Sequence, residues 1–293
     1  MAQQGGDGWV IEDGDDGRRL VVTGRWTPEA AAAVASGDVD ELWLNYARGF
    51  AEPDLDFIQD WPLLRLLVIA RTIEDVSPVE RLSSLESLSI EPSRHAQLDL
   101  SRLPRLRDLF AFARLVEESL ADARNLERLA LYQSRAETVA AIALPNTLRE
   151  LELTDSSRLT TLAGVERLDR LERLKVALAP QLREVRSVAA LAGTLSILEL
   201  ETCRKLSSLA GVESLAKLRH LEFGDCGAIP TLAPLRPLHE LQGVYAWGDT
   251  RIEDGDLSPL AELPRLAELR MRDRGEYRPH VRDLVDENLQ RKR

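Results

Sequence analysis

One spacing governs most of this 293-residue chain. The segment Leu195–Phe223 opens with L-x-x-L-x-L (Leu195, Leu198, Leu200) and closes with L-x-x-L-x-F (Leu218, Leu221, Phe223), the two starts lying 23 residues apart. Similar segments begin at Leu64, Leu85, Leu106, Leu126, Leu148, Leu171, Leu241 and Leu266, after a degenerate copy at Val39, Leu42 and Leu44. From Leu64 onward the steps range from 20 to 25 residues, which makes about eleven units. In the x-L-x-L-x core the leucines have period two, so both point to one face of a short strand. A single unit cannot bury them, but a stack of neighbours builds a continuous core. The pattern predicts an α/β solenoid. Its parallel β-sheet lines the concave face of an arc, its short 3₁₀ or helical turns lie on the convex face, and a cap closes each end.

The division follows from where the period holds. Residues 1–38 are expected to form an N-terminal cap. There Trp9–Ile11 and Leu20–Val22 read as strands around the turn-rich EDGDDG, and Thr27 and Pro28 open a short helix that stops near Gly37. Residues 39–271 form the repeat array. Residues 272–293 form a C-terminal capping helix, with Val281, Leu284, Val285 and Leu289 on one face, followed by the basic tail RKR. Between strands, the triplets SPV, AGV, APL and SPL in IEDVSPVERL, LTTLAGVERL, LSSLAGVESL, IPTLAPLRPL and DLSPLAEL suit one tight turn each. Between Glu91 and Leu148 the triplet is lost, and short helices are expected in some of those returns.

These residues resemble the leucine-rich repeat superfamily, and within it the short-turn class of the bacterial internalins and the phosphatase regulators. The resemblance covers about residues 39–271 and is specific for fold, not function. The family places an asparagine three residues after the last strand leucine, where it bonds the backbone of adjacent turns. This chain has Ser93, Ser134, Ser156, Cys203, Cys226 and Asp249 there, which implies a ladder partly rebuilt from hydroxyl and thiol donors.

Composition narrows the function classes. A net charge of −11 opposes binding to phosphate backbones, so nucleic acid is not expected as a partner. The only lysines are Lys175, Lys205, Lys217 and Lys292, an arginine bias that reads as a GC-rich bacterial genome. The start MAQQGGDGW has no basic and apolar leader, and no run is long enough to span a bilayer. A cytoplasmic protein without membrane contact is the expectation. Catalytic and cofactor motifs such as G-x-x-x-x-G-K-[ST], H-E-x-x-H, C-x-x-C and G-x-S-x-G are absent, and His95, His220, His239 and His280 lie in different units. The chain is therefore read as a non-enzyme without cofactor or metal. Cys203 and Cys226 occupy one position in adjacent units, so they stack about 5 Å apart. They read as a redox pair, as half of a metal site, or as two buried thiols. The last is favoured, because two ligands with no histidine or acid beside them hold a metal poorly.

What remains is the strand face, where the alternate residues form columns. The middle column includes Trp43, Val68, Phe110, Glu152, Lys175, Glu199, Glu222, Tyr245 and Arg270. Two residues later come Ala70, Phe112, Tyr132, Glu201, Trp247 and Arg272, and two earlier Glu150, Arg173, Ile197, His220 and Glu268. Three zones emerge: an aromatic group (Phe110, Phe112, Tyr132), an acidic stripe (Glu150, Glu152, Glu199, Glu201, Glu222) interrupted by Arg173 and Lys175, and an aromatic-basic group (Tyr245, Trp247, Arg270, Arg272). In a chain only 5% aromatic, five aromatics on one face are a concentration of hot-spot residue types. The expected function is a protein-interaction module gripping a protein partner, basic or apolar, on its concave face. The alternative is an inhibitor or immunity-type protein that neutralises a basic enzyme through the acidic stripe.

Overall fold

The computed structural model describes residues 4–14 and 17–284. Part of the EDGDDG turn, the expected continuation of the C-terminal helix through Val285 and Leu289, and the basic tail lie outside the described residues. The chain divides into two compact units, Met1–Leu131 with Ala143–Thr147 and Tyr132–Ile142 with Leu148–Arg293.

In the first unit, β1 (Gln4–Gly6), β2 (Trp9–Gly14) and β3 (Gly17–Val22) run antiparallel, with Trp9 opposite Val22. Helix α1 (Pro28–Ala35) follows. Pro28 fills its first turn, the Thr27 hydroxyl accepts the amide of Ala30 at 3.2 Å, and Ala30 and Val34 are buried. From there each strand lies parallel to the one before: β4 (Glu41–Asn45) on β3, then β5 (Arg65–Ile69), β6 (Ser87–Glu91), β7 (Asp108–Phe112) and β8 (Arg128–Tyr132). Off the sheet, Trp26 stacks on Phe57 and Trp61 with centroids 4.5 and 5.4 Å apart, and Phe57 meets the edge of Phe50. These rings pack the segment that joins β4 to β5.

The unit also corrects the reading of this segment. The buried leucine that opens the repeat is Leu63, not Leu64, and Leu66 and Val68 are the inward pair. Val68 and Ala70, expected on the strand face, are buried at 0% and 3% exposure, and the face is occupied by Leu67 and Ile69. The cause is plain. LLRLLVIA is apolar at almost every position, so either period-two phase fits it, and a slip of one residue exchanges the faces.

The second unit contains β9 (Glu150–Thr154), β10 (Arg173–Ala177), β11 (Ile197–Glu201), β12 (His220–Gly224), β13 (Ala228–Ile229), β14 (Gly243–Ala246), β15 (Arg251–Ile252) and β16 (Glu268–Met271). Strands β9, β10, β11, β12, β14 and β16 form one parallel sheet in that order, while β13 and β15 pair separately. Equivalent positions stand directly opposite, so Leu174, Leu198, Leu221 and Val244 form one buried row and Val176, Leu200 and Phe223 the next. Each such side chain contributes about 1.5–3 kcal/mol by leaving water.

The returns are mostly 3₁₀ turns: Ser77–Arg81 in the first unit, Val165–Arg167, Val212–Ser214 and Ala233–Leu235 in the second. The SPL triplet instead makes one α-turn, α3 (Ser258–Ala261), and the region without triplets contains another, α2 (Ala113–Val116), directly after β7. In the AGV turns the glycine is required. Gly164 and Gly211 have φ of +109° and +101°, and a Cβ on Gly164 would lie 2.2 Å from the amide nitrogen of Ala140.

Two ladders tie successive repeats of the second unit together. Strands β8 to β12 each exit through a left-handed residue, namely Gln133, Asp155, Leu178, Thr202 and Asp225, with φ between +47° and +57°. That turn aims the residue's amide at the next repeat: Leu178 N–H donates to Glu201 O (2.9 Å) and Thr202 N–H to Gly224 O (2.8 Å). In the second ladder the buried Cys203 and Cys226 thiols donate to Val176 O (3.7 Å) and Leu200 O (3.3 Å), each one repeat back. The Cys226 thiol beside it, together with burial, holds Cys203 far above the usual thiol range, so its thiol stays protonated. The next rung is Thr250, not Asp249. The Thr250 hydroxyl donates to Phe223 O at 2.8 Å and accepts the amide of Cys226 at 3.0 Å, while Asp249 is exposed. The repeat carries an extra residue after its strand, which shifts the buried position by one.

Left-handed backbone strains a β-branched residue by about 1–2 kcal/mol. Thr202→Gly is therefore expected to raise stability by about 1 kcal/mol, less the extra freedom glycine gains in the unfolded chain. Urea unfolding checks this, and a lowered midpoint would show that the Thr202 side chain contributes more than its backbone costs.

Candidate functional site

The second unit carries the richest arrangement, because its parallel register turns sequence positions into columns. Directly opposite one another stand Glu150, Arg173, Ile197, His220, Gly243 and Glu268 in the first column, and Glu152, Lys175, Glu199, Glu222, Tyr245 and Arg270 in the second. The third column passes from Thr154 through Ala177 and Glu201 to Gly224. Five of the glutamates named by the sequence therefore share one face, but they do not form a bare acidic stripe. Arg173 lies 2.7 Å from Glu199 and 3.9 Å from Glu150, and Lys175 lies 3.3 Å from Glu201 and 4.0 Å from Glu152. The hydrogen bond to Glu199 holds the Arg173 guanidinium above its usual range. Burial pulls the Lys175 ammonium down, and the neighbouring carboxylates of Glu201 and Glu152 outweigh it.

Glu222 differs. Among the described residues it makes no ion pair, and its oxygen instead accepts the indole N–H of Trp247 at 2.5 Å. Burial pushes its pKa up, the indole bond partly offsets this, and the like charges of Glu201 and Glu199 add to the rise.

Two glycines shape the space beside Glu222. The indole of Trp247 lies across Gly224 on β12, so closely that a Cβ there would fall 2.2 Å from the ring. Trp247 thus leans from its own strand toward the acidic strands and remains 38% exposed. The ring of Tyr245 lies beside Gly243, where a Cβ would come within 2.9 Å of it, and its hydroxyl donates to Glu268 at 2.5 Å. Arg270 sits over that ring, 5.6 Å from its centroid, and the bond to Glu268 raises the Tyr245 phenol pKa. Arg272 is exposed at the far side. The aromatic-basic group is therefore brought together, as is the acidic group next to it. The seats, Gly224 and Gly243, were missed by reasoning from side chains; the signal was a glycine interrupting a column otherwise filled.

In the first unit Phe110 is 37% exposed and Phe112 carries the guanidinium of Arg114 at 4.5 Å from its centroid. Leu67, Ile69 and Trp43 occupy the same face, and Trp43 holds Arg19 at 3.8 Å from its ring. Tyr132, half-buried, belongs to the second unit, so the expected aromatic trio is divided between units. Among the described residues no group of three His, Cys, Asp or Glu side chains could hold a metal ion, and no helix is long and apolar enough to cross a membrane.

The architecture matches known structures. An internalin (inlF) from Listeria monocytogenes superposes with a TM-score of 0.53 at 19% identity, covering 72% of this chain and 68% of that one. An internalin C2 from the same organism (TM-score 0.36, 19% identity, 70% of this chain, 71% of that one) and PEPR1-AtPEP1 (0.49, 15%, 89% and 46%) superpose less well. No protein-family model and no curated protein matches the sequence. The chain is a leucine-rich repeat protein by fold.

Two variants test the site's construction. Gly224→Ala has no left-handed backbone to disturb, so it is expected to leave the sheet intact while displacing Trp247, read as a changed indole N–H resonance and loss of its bond to Glu222. Glu222→Gln removes a carboxylate whose folded pKa is raised. Such a group lowers stability above its folded pKa, and that penalty disappears as pH falls through the folded value toward the unfolded one. The variant should therefore melt above the wild type at pH 7, with the difference shrinking through the window above the ordinary carboxylate range. A constant difference from pH 7 to pH 4 would contradict the assignment.

Proposed function

We propose that this chain is a non-enzymatic protein-interaction module that takes a protein partner on the open face of its sheet. The observation that carries the reading is the fixed presentation of Tyr245 and Trp247. Aromatic side chains on soluble surfaces usually move, and fixing them on binding costs entropy. Here both rings are seated on glycines and hydrogen-bonded to glutamates; Arg270 lies over the Tyr245 ring, and the Trp247 ring is left exposed. Tryptophan, tyrosine and arginine dominate binding hot spots, Arg270 lies over the Tyr245 ring, and Arg272 is exposed just after β16. Phe110, Phe112 and Tyr132 are the further residues assigned to partner contact. The fold supports the coarse reading, since a stack of repeats offers a broad rigid sheet surface. Two buried free thiols fit a reducing compartment, which supports a cytoplasmic setting.

An inhibitor acting through acidic residues alone is less well supported. Four of the five glutamates, Glu150, Glu152, Glu199 and Glu201, already face Arg173 or Lys175, so the charge available to a basic enzyme is reduced. The two readings separate by salt. Binding steered by charge weakens steeply with ionic strength, whereas binding through aromatic anchors weakens little.

The test is affinity capture from native lysate with the wild-type chain, with Tyr245→Ala/Trp247→Ala and with Glu199→Arg/Glu222→Arg. The aromatic double variant is expected to lose the captured protein while keeping its circular dichroism. If neither variant changes what is captured, the sheet face is not the binding surface.

A further inference from the structure

The asymmetry of the two aromatic seats defines what the space between them accepts. Tyr245 is turned to Glu268 and covered by Arg270, so its polar needs are met on the β16 side. Trp247 turns the opposite way, over Gly224, and brings its ring toward Glu222 and toward Glu201, which stands opposite Gly224 in the sheet. The cations already on the face are committed elsewhere: Arg173 to Glu199 and Glu150, and Lys175 to Glu201 and Glu152. What is left is an indole with an open face, bordered by a carboxylate that has a hydrogen bond but, among the described residues, no ion pair, Lys175 acting on it only from beyond contact distance.

We propose that this part of the sheet face seats the guanidinium of a single arginine from the protein partner, stacked on the open face of Trp247 with its N–H edge turned to Glu222. The inference rests on the protein-binding reading above and narrows it. Charge complementarity chooses the sign: Glu222 has no ion pair among the described residues and stands directly opposite Glu199, whose own partner Arg173 lies on the strand beyond, so a cation beside Glu222 relieves the like charge that remains. Shape chooses arginine over lysine. A planar guanidinium stacks on an aromatic plane and forks onto a carboxylate at once, whereas an ammonium is a compact, strongly hydrated point charge. Glu222 suits the fork, because one oxygen holds the indole and the other lone pairs of the carboxylate stay available. Glu201, opposite Gly224, is already paired with Lys175, which leaves Glu222 as the carboxylate that the fork meets.

The probe is N-acetyl-arginine amide, titrated into the full chain while the indole N–H resonance of Trp247 is followed. Trp247→Phe identifies that resonance among the five tryptophans. The expected result is a saturable shift with arginine, about threefold or more weaker binding of N-acetyl-lysine amide, and loss of the response in Glu222→Gln, whose amide keeps an acceptor for the indole. No saturable shift up to tens of millimolar, an equal response to the lysine probe, or an unchanged response in Glu222→Gln would each overturn the proposal. The two readings fail separately. If the arginine probe is silent but Tyr245→Ala/Trp247→Ala still releases the captured partner, the interaction face stands and only the arginine seat falls.

Discussion

Everything in the second unit depends on the in-register parallel pairing of short strands. Because Arg173 stands opposite both Glu150 and Ile197, and Glu199 opposite both Lys175 and Glu222, a given sequence position always meets its own equivalents. Parallel ladders without offset have two consequences here. Inside, identical leucine positions form rows that no single repeat could bury. Outside, whatever residue type occupies a position is multiplied into a column, so charge and aromaticity accumulate instead of averaging out. The acidic border is a product of this multiplication.

The accumulation has to be managed, and the structure shows how. Carboxylates on neighbouring strands would repel at about 5 Å. Arg173 and Lys175 on β10 sit between the glutamates of β9 and those of β11 and reach both sides. One strand with two cations thus settles four carboxylates on its flanks. Glu222, one strand farther, lies beyond their ion-pairing reach and is served by an indole instead.

Much of this was legible in the sequence, for a physical reason: period-two leucines at a 20–25-residue spacing leave few other ways to be buried. The face columns followed from the same phase and were right wherever polar residues alternate with apolar ones, as in ELELT and ILELE. They were wrong at Val68 and Ala70, where LLRLLVIA offers no alternation to read. The thiol ladder was anticipated at Cys203 and Cys226 and misplaced at Asp249, since a single inserted residue cannot be located without the backbone. What no pattern of side chains could show was the direction in which each side chain leans. Trp247 and Arg272 belong to the same column, yet the indole lies toward β12, and only the missing Cβ of Gly224 makes room for it.

The seating of Trp247 also bears on how fast and how selectively such a surface can work. A ring already immobilised when the chain folds has no search left to perform when a partner arrives. Encounter then leads to a committed complex without a reorganisation step, and differences between partners appear mainly in how long they stay. The same immobility makes the surface a poor compromiser. A flexible, methionine-rich face can remould itself around many shapes, but an indole pinned by a glycine beneath it and a carboxylate at its edge presents one outline only. On the proposed reading the residue that sets this selectivity is Gly224, which offers no side chain of its own to any partner.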